Sequence, residues 1–139
     1  MNAIGLGADM VAFIVLASQL SKVLYTTFSS IKDGPSNARR VSSHLLQLHE
    51  VLEQLRHYPL ARHDTELTRH VESCIADLES LFNSAQKFQS AEVGRKTDRM
   101  WKRLKSFLGE SKIECINEQI VAHINILNFR LVSEVMSPI

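Results

Sequence analysis

The side chains that could carry chemistry are six histidines, two cysteines and a few acids. His44 and His49 are five residues apart and do not share a helical face well. His57, His63 and His70 gather around what reads as a connection between helices. A zinc protease needs His-Glu-x-x-His, and His49-Glu50 has no second histidine at the required place. No cysteine stands at ligand spacing from a histidine, so the histidines read as solvated surface groups and not as a metal site. Glu50 and Glu53 lie within one turn, but nothing in the sequence sets them in a cleft. Gly5 and Gly7 lack both the preceding strand and the following Lys-Ser/Thr of a phosphate loop. The residues therefore predict no enzyme, no metal and no cofactor. Cys74 and Cys115 each fall inside a helical pattern and read as buried, reduced thiols, because two cysteines make no disulfide framework.

A second kind of chemistry is electrostatic. Arg95, Lys96, Arg99, Lys102, Arg103 and Lys105 place six positive charges within eleven residues. Met100, Trp101, Leu104, Phe107 and Leu108 share the opposite face, which makes a small basic amphipathic helix. It has three readings: a solvated face packed on the fold by its apolar side, an interfacial helix drawn to anionic lipid, or a nucleic-acid contact. The chain as a whole carries a net charge of only +1. One basic patch on a near-neutral chain is a weak nucleic-acid footprint, and no nucleic-acid partner is expected.

The stretch from Met1 to Ile31 dominates the hydropathy pattern. Up to Ser21 its only charged side chain is Asp9, and Met10 to Ala17 is an unbroken apolar run. A helix apolar all round must be buried in protein or in lipid. Residues 3 to 20 would make a helix of about 27 Å at 1.5 Å per residue, against a hydrocarbon core of about 30 Å. An Asp near its middle costs about 2.5–3.5 kcal/mol, so a lone permanent span is marginal. A secretory signal is disfavoured too, because no basic residue precedes Lys22. A helix buried at rest that enters lipid as part of an oligomer fits the composition better.

The remaining elements follow from periodicity. The first helix is expected from residue 3 or 9 to Ile31, with Asp9 as its cap or first-turn acid, and Gly34-Pro35 as the stop. A second helix runs from Ser36 to Tyr58, with Val41, Leu45, Leu48, Leu52 and Leu55 on one stripe. A third runs from Asp64 to Gln89 on Leu67, Val71, Cys74, Leu78, Leu81, Ala85 and Phe88. Ile75 and Phe82 widen that stripe enough to touch more than one neighbour. The last runs from Ser111 to Met136 on Ile113, Ile116, Ile120, Ile124, Leu127, Leu131 and Val135, with Ser111 and Glu114 as a capping box. No stretch alternates with period two. At 139 residues the chain predicts one all-α domain, an up-down bundle of four long helices plus the short basic one.

Ala3-Ile4-Gly5-Leu6-Gly7-Ala8 leading into Val11-Ala12-Phe13-Ile14, then Tyr25 and Ile31-Lys32-Asp33-Gly34-Pro35, resembles fungal HeLo-like domains. These stand at the N-terminus of fungal NOD-like receptors and related cell-death effectors. The resemblance continues through Leu45, Leu48, Val51, Leu52 and Leu55, the Trp101-Lys102-Arg103-Leu104-Lys105 segment and the last helix, and so covers nearly the whole chain. It implies a bundle, cytoplasmic at rest, that self-associates when a NOD-like receptor or an amyloid-type motif triggers it, then permeabilises the plasma membrane. Carried onto this chain, the membrane-active part is the segment 1–20. Ile4, Leu6, Met10, Val11, Phe13, Ile14 and Leu16 would meet lipid, and Arg99, Lys102, Arg103 and Lys105 would meet anionic headgroups. Asp9 would either cap the helix or line an oligomeric pore. No nucleotide-binding module or amyloid motif follows Ile139, so a fragment or a stand-alone member is expected. The rival class is a bundle that docks a partner or dimerises and never touches lipid.

Overall fold

The computed structural model describes residues 6–29, 36–57, 65–91 and 110–136, and side chains within 10–29, 39–57, 65–86 and 111–133. The described residues form four α-helices and no strand: α1 (Leu6–Ser29), α2 (Ser36–His57), α3 (Thr65–Ala91) and α4 (Glu110–Met136). The short basic helix expected around Trp101 lies outside the described residues.

Each helix forms where an apolar stripe recurs at spacings of three and four. In α2 the stripe Val41, Leu45, Leu48, Leu52 and Leu55 is buried throughout. In α3, Leu67, Val71, Cys74, Leu78, Leu81 and Ala85 are buried, with Ile75 widening the stripe as its position requires. In α4, Ile113, Ile120, Ile124, Leu127 and Leu131 are buried and Ile116 packs against them partly buried, while the side chains of Phe88 and Val135 lie outside the described ones. The buried side chains join Met10, Ile14, Leu24 and Phe28 of α1 in one core.

Four pairs of helices pack extensively: α1 on α2, α2 on α4, α4 on α3, and α3 on α1. The ring order is thus α1-α2-α4-α3, and α1 faces α4 across a diagonal. Side-chain bonds fix the directions. Ser18 of α1 meets His49 and Glu53 of α2, while Phe28 shares a groove with Arg39 and Ser42, so α1 and α2 are antiparallel. Arg40 and His44 of α2 meet Glu114 and Asn117 of α4 in rising order, so those two are parallel. Glu66 and Asp77 of α3 meet Arg130 and His123 of α4 in falling order, so those two are antiparallel. The chain therefore runs up-down-up-down, with the step from α2 to α3 crossing the bundle and the step from α3 to α4 joining neighbours.

Two helix starts differ from the sequence expectation. α1 runs from Leu6, not from residue 3 or 9, so Asp9 falls in its first turn, the second of the two places expected for it. α4 begins at Glu110, so Ser111 already lies within the helix, and Glu114 spends its carboxylate on Arg40 of α2 at 3.2 Å and not on a capping box. Cys74 is buried as expected, and Cys115 is exposed instead, because it points away from the stripe shared by Ile113 and Ile120.

Since α1 supplies Met10, Ile14 and Ala17 to the common core, deleting residues 1–20 is expected to abolish cooperative thermal unfolding followed by circular dichroism. A truncated chain that stays helical and melts in one sharp transition would overturn this packing.

Candidate functional site

The site that the sequence points to is α1, and α1 has two unlike faces. Its inner face is Met10, Ile14, Ala17, Ser18, Ser21, Leu24 and Phe28, all buried, at alternating helical spacings. Phe13, Leu20 and Tyr25 pack at its edges. Its outer face carries Val11, Ala12, Leu16, Gln19, Val23 and Thr26, all exposed. Val11 is 50%, Val23 47% and Leu16 39% exposed. These values place large apolar side chains in water where a bundle normally puts polar ones. Lys22 is the only charged residue between Met10 and Ser29. A shallow groove on this face is lined by Gln19, Lys22, Val23, Thr26 and Thr27. By length and composition the stretch Met10–Ser29 is sufficient to cross a membrane, and only 33% of its most apolar window is buried. A core helix of a soluble bundle can pass the same test of length, so the uncovered face is the more telling feature.

The structure sorts the residues expected to meet lipid. Met10 and Ile14 are core residues, 2% and 1% exposed, and Phe13 is half-buried against the core. As packed, they are not available to a bilayer. Val11 and Leu16 are on the open face. Leu6 and Asp9 belong to α1, with side chains outside the described set, and Ile4, Arg99, Lys102, Arg103 and Lys105 lie outside the described residues altogether. The apolar run is therefore buried on one side only, contrary to the expectation that it is covered all round.

What holds α1 down is polar as well as apolar. Ser18, 2% exposed, donates its hydroxyl proton to Glu53 Oε2 at 2.6 Å. His49 Nδ1 lies 3.0 Å from the Ser18 carbonyl oxygen and 3.0 Å from its Oγ. The carbonyl can only accept, so Nδ1 carries a proton and shares it between the two oxygens. Ser21 Oγ donates to the same carbonyl at 2.8 Å. Serine, histidine and glutamate side by side suggest a hydrolase, but the order is wrong. In a catalytic relay the imidazole stands between hydroxyl and carboxylate, whereas here both partners converge on Ser18, which is sealed from solvent. The cluster is a clasp between α1 and α2. Glu53 has its pKa lowered below the ordinary 4.5, first by the Ser18 hydroxyl bond and then by the charge of Arg56, which stands 3.4 Å away.

Two further histidines do the same work elsewhere. His44 Nδ1 meets Asn117 Oδ1 at 2.6 Å between α2 and α4, and His123 Nε2 meets Asp77 Oδ2 at 2.7 Å between α3 and α4. Reading the histidines as solvated surface groups is thus corrected for three of them: His123 is buried, and His44 and His49 are half-buried between helices. They escaped the sequence reading because each partner lies on another helix, at separations from 31 to 73 residues. Among the described residues no group of three or more His, Cys, Asp or Glu could hold a metal ion. Cys74 is no nucleophile, because burial, with Asp77 nearby, pushes its thiol up to about 12.

Comparison with known proteins places the chain. A family model described as "Pigment biosynthesis cluster protein PigL N-terminal" matches residues 1–133. The chain belongs to this family. No curated protein and no solved structure matched the chain. The matched region takes in all of α1, α2 and α3 and nearly all of α4.

The polar bonds lead to two expectations. Asn117 is 1% exposed and its Nδ2 has no partner, so replacing it together with its bonded neighbour, His44→Leu with Asn117→Leu, should raise unfolding stability by about 1 kcal/mol in urea titrations; a loss of stability in the double variant would show that the amide is satisfied. The depressed pKa of Glu53 contributes stability that is present above pH 4.5 and is lost as pH falls through the lower folded-state value. Between pH 4.5 and that value, wild type should therefore lose stability more steeply than Glu53→Gln. Parallel profiles of midpoint against pH would remove the clasp from the account.

Proposed function

We propose that the chain is a HeLo-like cell-death domain, a helical bundle that permeabilises the plasma membrane through α1 after activation by oligomerisation. The resemblance of the stretches 3–8 and 31–35 to HeLo-like domains, on a four-helix chain of the PigL N-terminal family, supports the reading. The observation that carries it is the uncovered, almost uncharged outer face of α1, with Val11, Leu16 and Val23 in water on a helix of membrane-spanning length. Anionic lipid is the proposed partner, drawn by the basic residues Arg99, Lys102, Arg103 and Lys105, and a NOD-like receptor or an amyloid-type motif is the proposed trigger.

Magnitudes constrain how this can work. Withdrawing Met10, Ile14, Leu24 and Phe28 from the core forfeits about 1.5–3 kcal/mol each, or about 6–12 kcal/mol in all. That is comparable with the whole stability of an ordinary domain, about 5–15 kcal/mol. Release of α1 in water is therefore negligible, and the bundle at rest keeps it. In lipid the same side chains and those of the outer face recover their burial together, so transfer becomes favourable only next to a bilayer. The outer face is the part of α1 able to make first contact, since it is exposed before anything moves.

The second reading, a helical interaction or oligomerisation module of a signalling receptor that never meets lipid, draws on the same face, which a protein surface could cover as well as a membrane. Dye leakage separates the two. Anionic liposomes should leak with the intact chain, and the triple variant Val11→Glu, Leu16→Glu, Val23→Glu should leak at least tenfold less, because each carboxylate costs about 2.5–3.5 kcal/mol in the membrane. The three positions are exposed, so the variant should keep its circular dichroism spectrum. A folded wild-type chain that releases no dye, even when oligomerised through a fused assembly tag, would overturn the membrane reading and leave the interaction module.

A further inference from the structure

The outward faces of the four helices fall into two kinds. α2 and α3 show solvent a mixture of charges, including Arg39, Glu50 and Arg56 on one and Glu66, Arg69, Glu72 and Glu79 on the other. α1 and α4 do not. The outer face of α4 from Glu118 to Ser133 runs through Gln119, Ala122, Asn125, Phe129 and Val132. Phe129 is 71% and Val132 52% exposed, and Phe129 borders a shallow groove with Asn125 and Ile126 whose other wall is the Glu66, His70 and Arg130 edge of the α3–α4 seam. An aromatic ring this exposed, with Val132 beside it, marks a contact surface. Because α1 and α4 stand on a diagonal of the ring, these two charge-poor faces look out in opposite directions.

We propose that copies of this chain stack head to tail, the outer face of α1 in one copy lying against the outer face of α4 in the next. The occupant follows from complementarity. The α1 face has a single charge, Lys22; on the α4 face Glu118 stands at one end, and Arg130, beside Phe129, is turned to Glu66 of α3 at 3.0 Å. Their levels along the bundle agree. Ser18 is level with His49 and Glu53, and His44 is level with Asn117. Carried across the bundle, these pairings set Lys22 at the height of the Glu118 end of α4, and Val11 at the height of Val132 and Phe129. A copy displaced sideways along the diagonal, without rotation, thus brings Lys22 to Glu118, Val23 to the neighbouring Gln119, and Val11 and Leu16 of α1 to Val132 and Phe129. The pairing joins two different surfaces, so it does not close on itself. Each added copy offers a fresh α1 face at one side and a fresh α4 face at the other.

Stacking and a bilayer would compete for Val11, Leu16 and Val23, so stacked copies keep that face from lipid; this consequence alone rests on the membrane reading above. Sedimentation velocity of the intact chain without lipid tests the contact itself. Average mass should keep rising with concentration past the dimer. Phe129→Glu and Val23→Glu should each reduce the association constant at least tenfold with an unchanged circular dichroism spectrum. Lys22→Glu and Glu118→Lys should each weaken association, and the two together should restore it. A chain that stays monomeric at millimolar concentration, a mass that stops at two copies, indifference to Phe129→Glu, or a charge-swapped pair no better than its single variants would overturn the proposal. Leakage assays on the same variants report separately. A Phe129→Glu chain that stays monomeric with its α1 face intact and still releases no dye would defeat the membrane reading alone, and leakage by an intact chain that never assembles would defeat this one alone.

Discussion

The constraint on which the bundle depends is that α1 must be gripped by both of its neighbours along one face. α1 packs on α2 and on α3, and its contact with α2 is the most extensive in the structure. Met10, Ile14, Leu24 and Phe28 enter the space between α2, α3 and α4, where Leu45, Leu48, Leu52, Val71 and Leu78 are almost wholly out of water. Interiors packed to crystal-like density do not reshape around a missing helix, so without α1 the other three would expose a continuous apolar trough. The Ser18 clasp adds direction to this grip. A hydroxyl bonded to an ionised carboxylate is among the stronger hydrogen bonds, and it sits where α1 and α2 must hold one register.

The polar side chains distribute this specificity around the ring. Each of three packed pairs has one histidine bonded across it: His49 between α1 and α2, His44 between α2 and α4, and His123 between α3 and α4. Apolar stripes of leucine and isoleucine tolerate sliding by a turn, because one branched aliphatic side chain resembles the next. A bond to one carbonyl, one amide or one carboxylate does not tolerate it, since a shifted partner is left buried and unsatisfied. Asn117 shows the other side of this arrangement: its amide oxygen is bonded and its nitrogen is stranded in the core, a loss of stability that aliphatic residues in place of both Asn117 and His44 would avoid. The surface ion pairs Arg40–Glu114 and Arg130–Glu66 lie over the same two seams and contribute less, because water screens them.

The fold was largely legible in the sequence, since stripes such as Val41-Leu45-Leu48-Leu52-Leu55 combine period, length and stop signals that only a helix satisfies. The core positions of α2, α3 and α4 followed from the same stripes. Pairing was not legible. Nothing in the periodicity of α2 says that its partners are α1 and α4, because a stripe records that a face is buried and not against what. The histidine bonds were invisible for the same reason, each being made across a long span of chain. The face of α1 was misjudged because an apolar run hides its own periodicity: with Met10, Val11, Phe13, Ile14 and Leu16 all apolar, the sequence cannot tell Ile14, which is buried, from Leu16, which is not. Polar interruptions further along, at Ser18, Ser21 and Lys22, did not resolve it either. The two serines turned out to lie on the buried side, where they bond within α1 and to α2.

That ambiguity is itself informative about function. A helix with one buried face needs apolar residues on that face alone, and α2 and α3 follow this rule by carrying charges outward. α1 exceeds it. Nothing in the packing of Met10, Ile14, Leu24 and Phe28 calls for valine at 11 and 23 or leucine at 16, and leaving such side chains in water gains nothing in folding while inviting association. The surplus hydrophobicity on α1, answered across the bundle by Phe129 and Val132, therefore belongs to what the domain meets and not to how it folds. The same reasoning sets the order of events. An outer face already exposed can engage a surface without loss of packing, whereas Met10 and Ile14 can do so only after the clasp of Ser18, His49 and Glu53 has opened. Under the membrane reading proposed above, first contact and commitment would be separate steps, made by opposite sides of one helix.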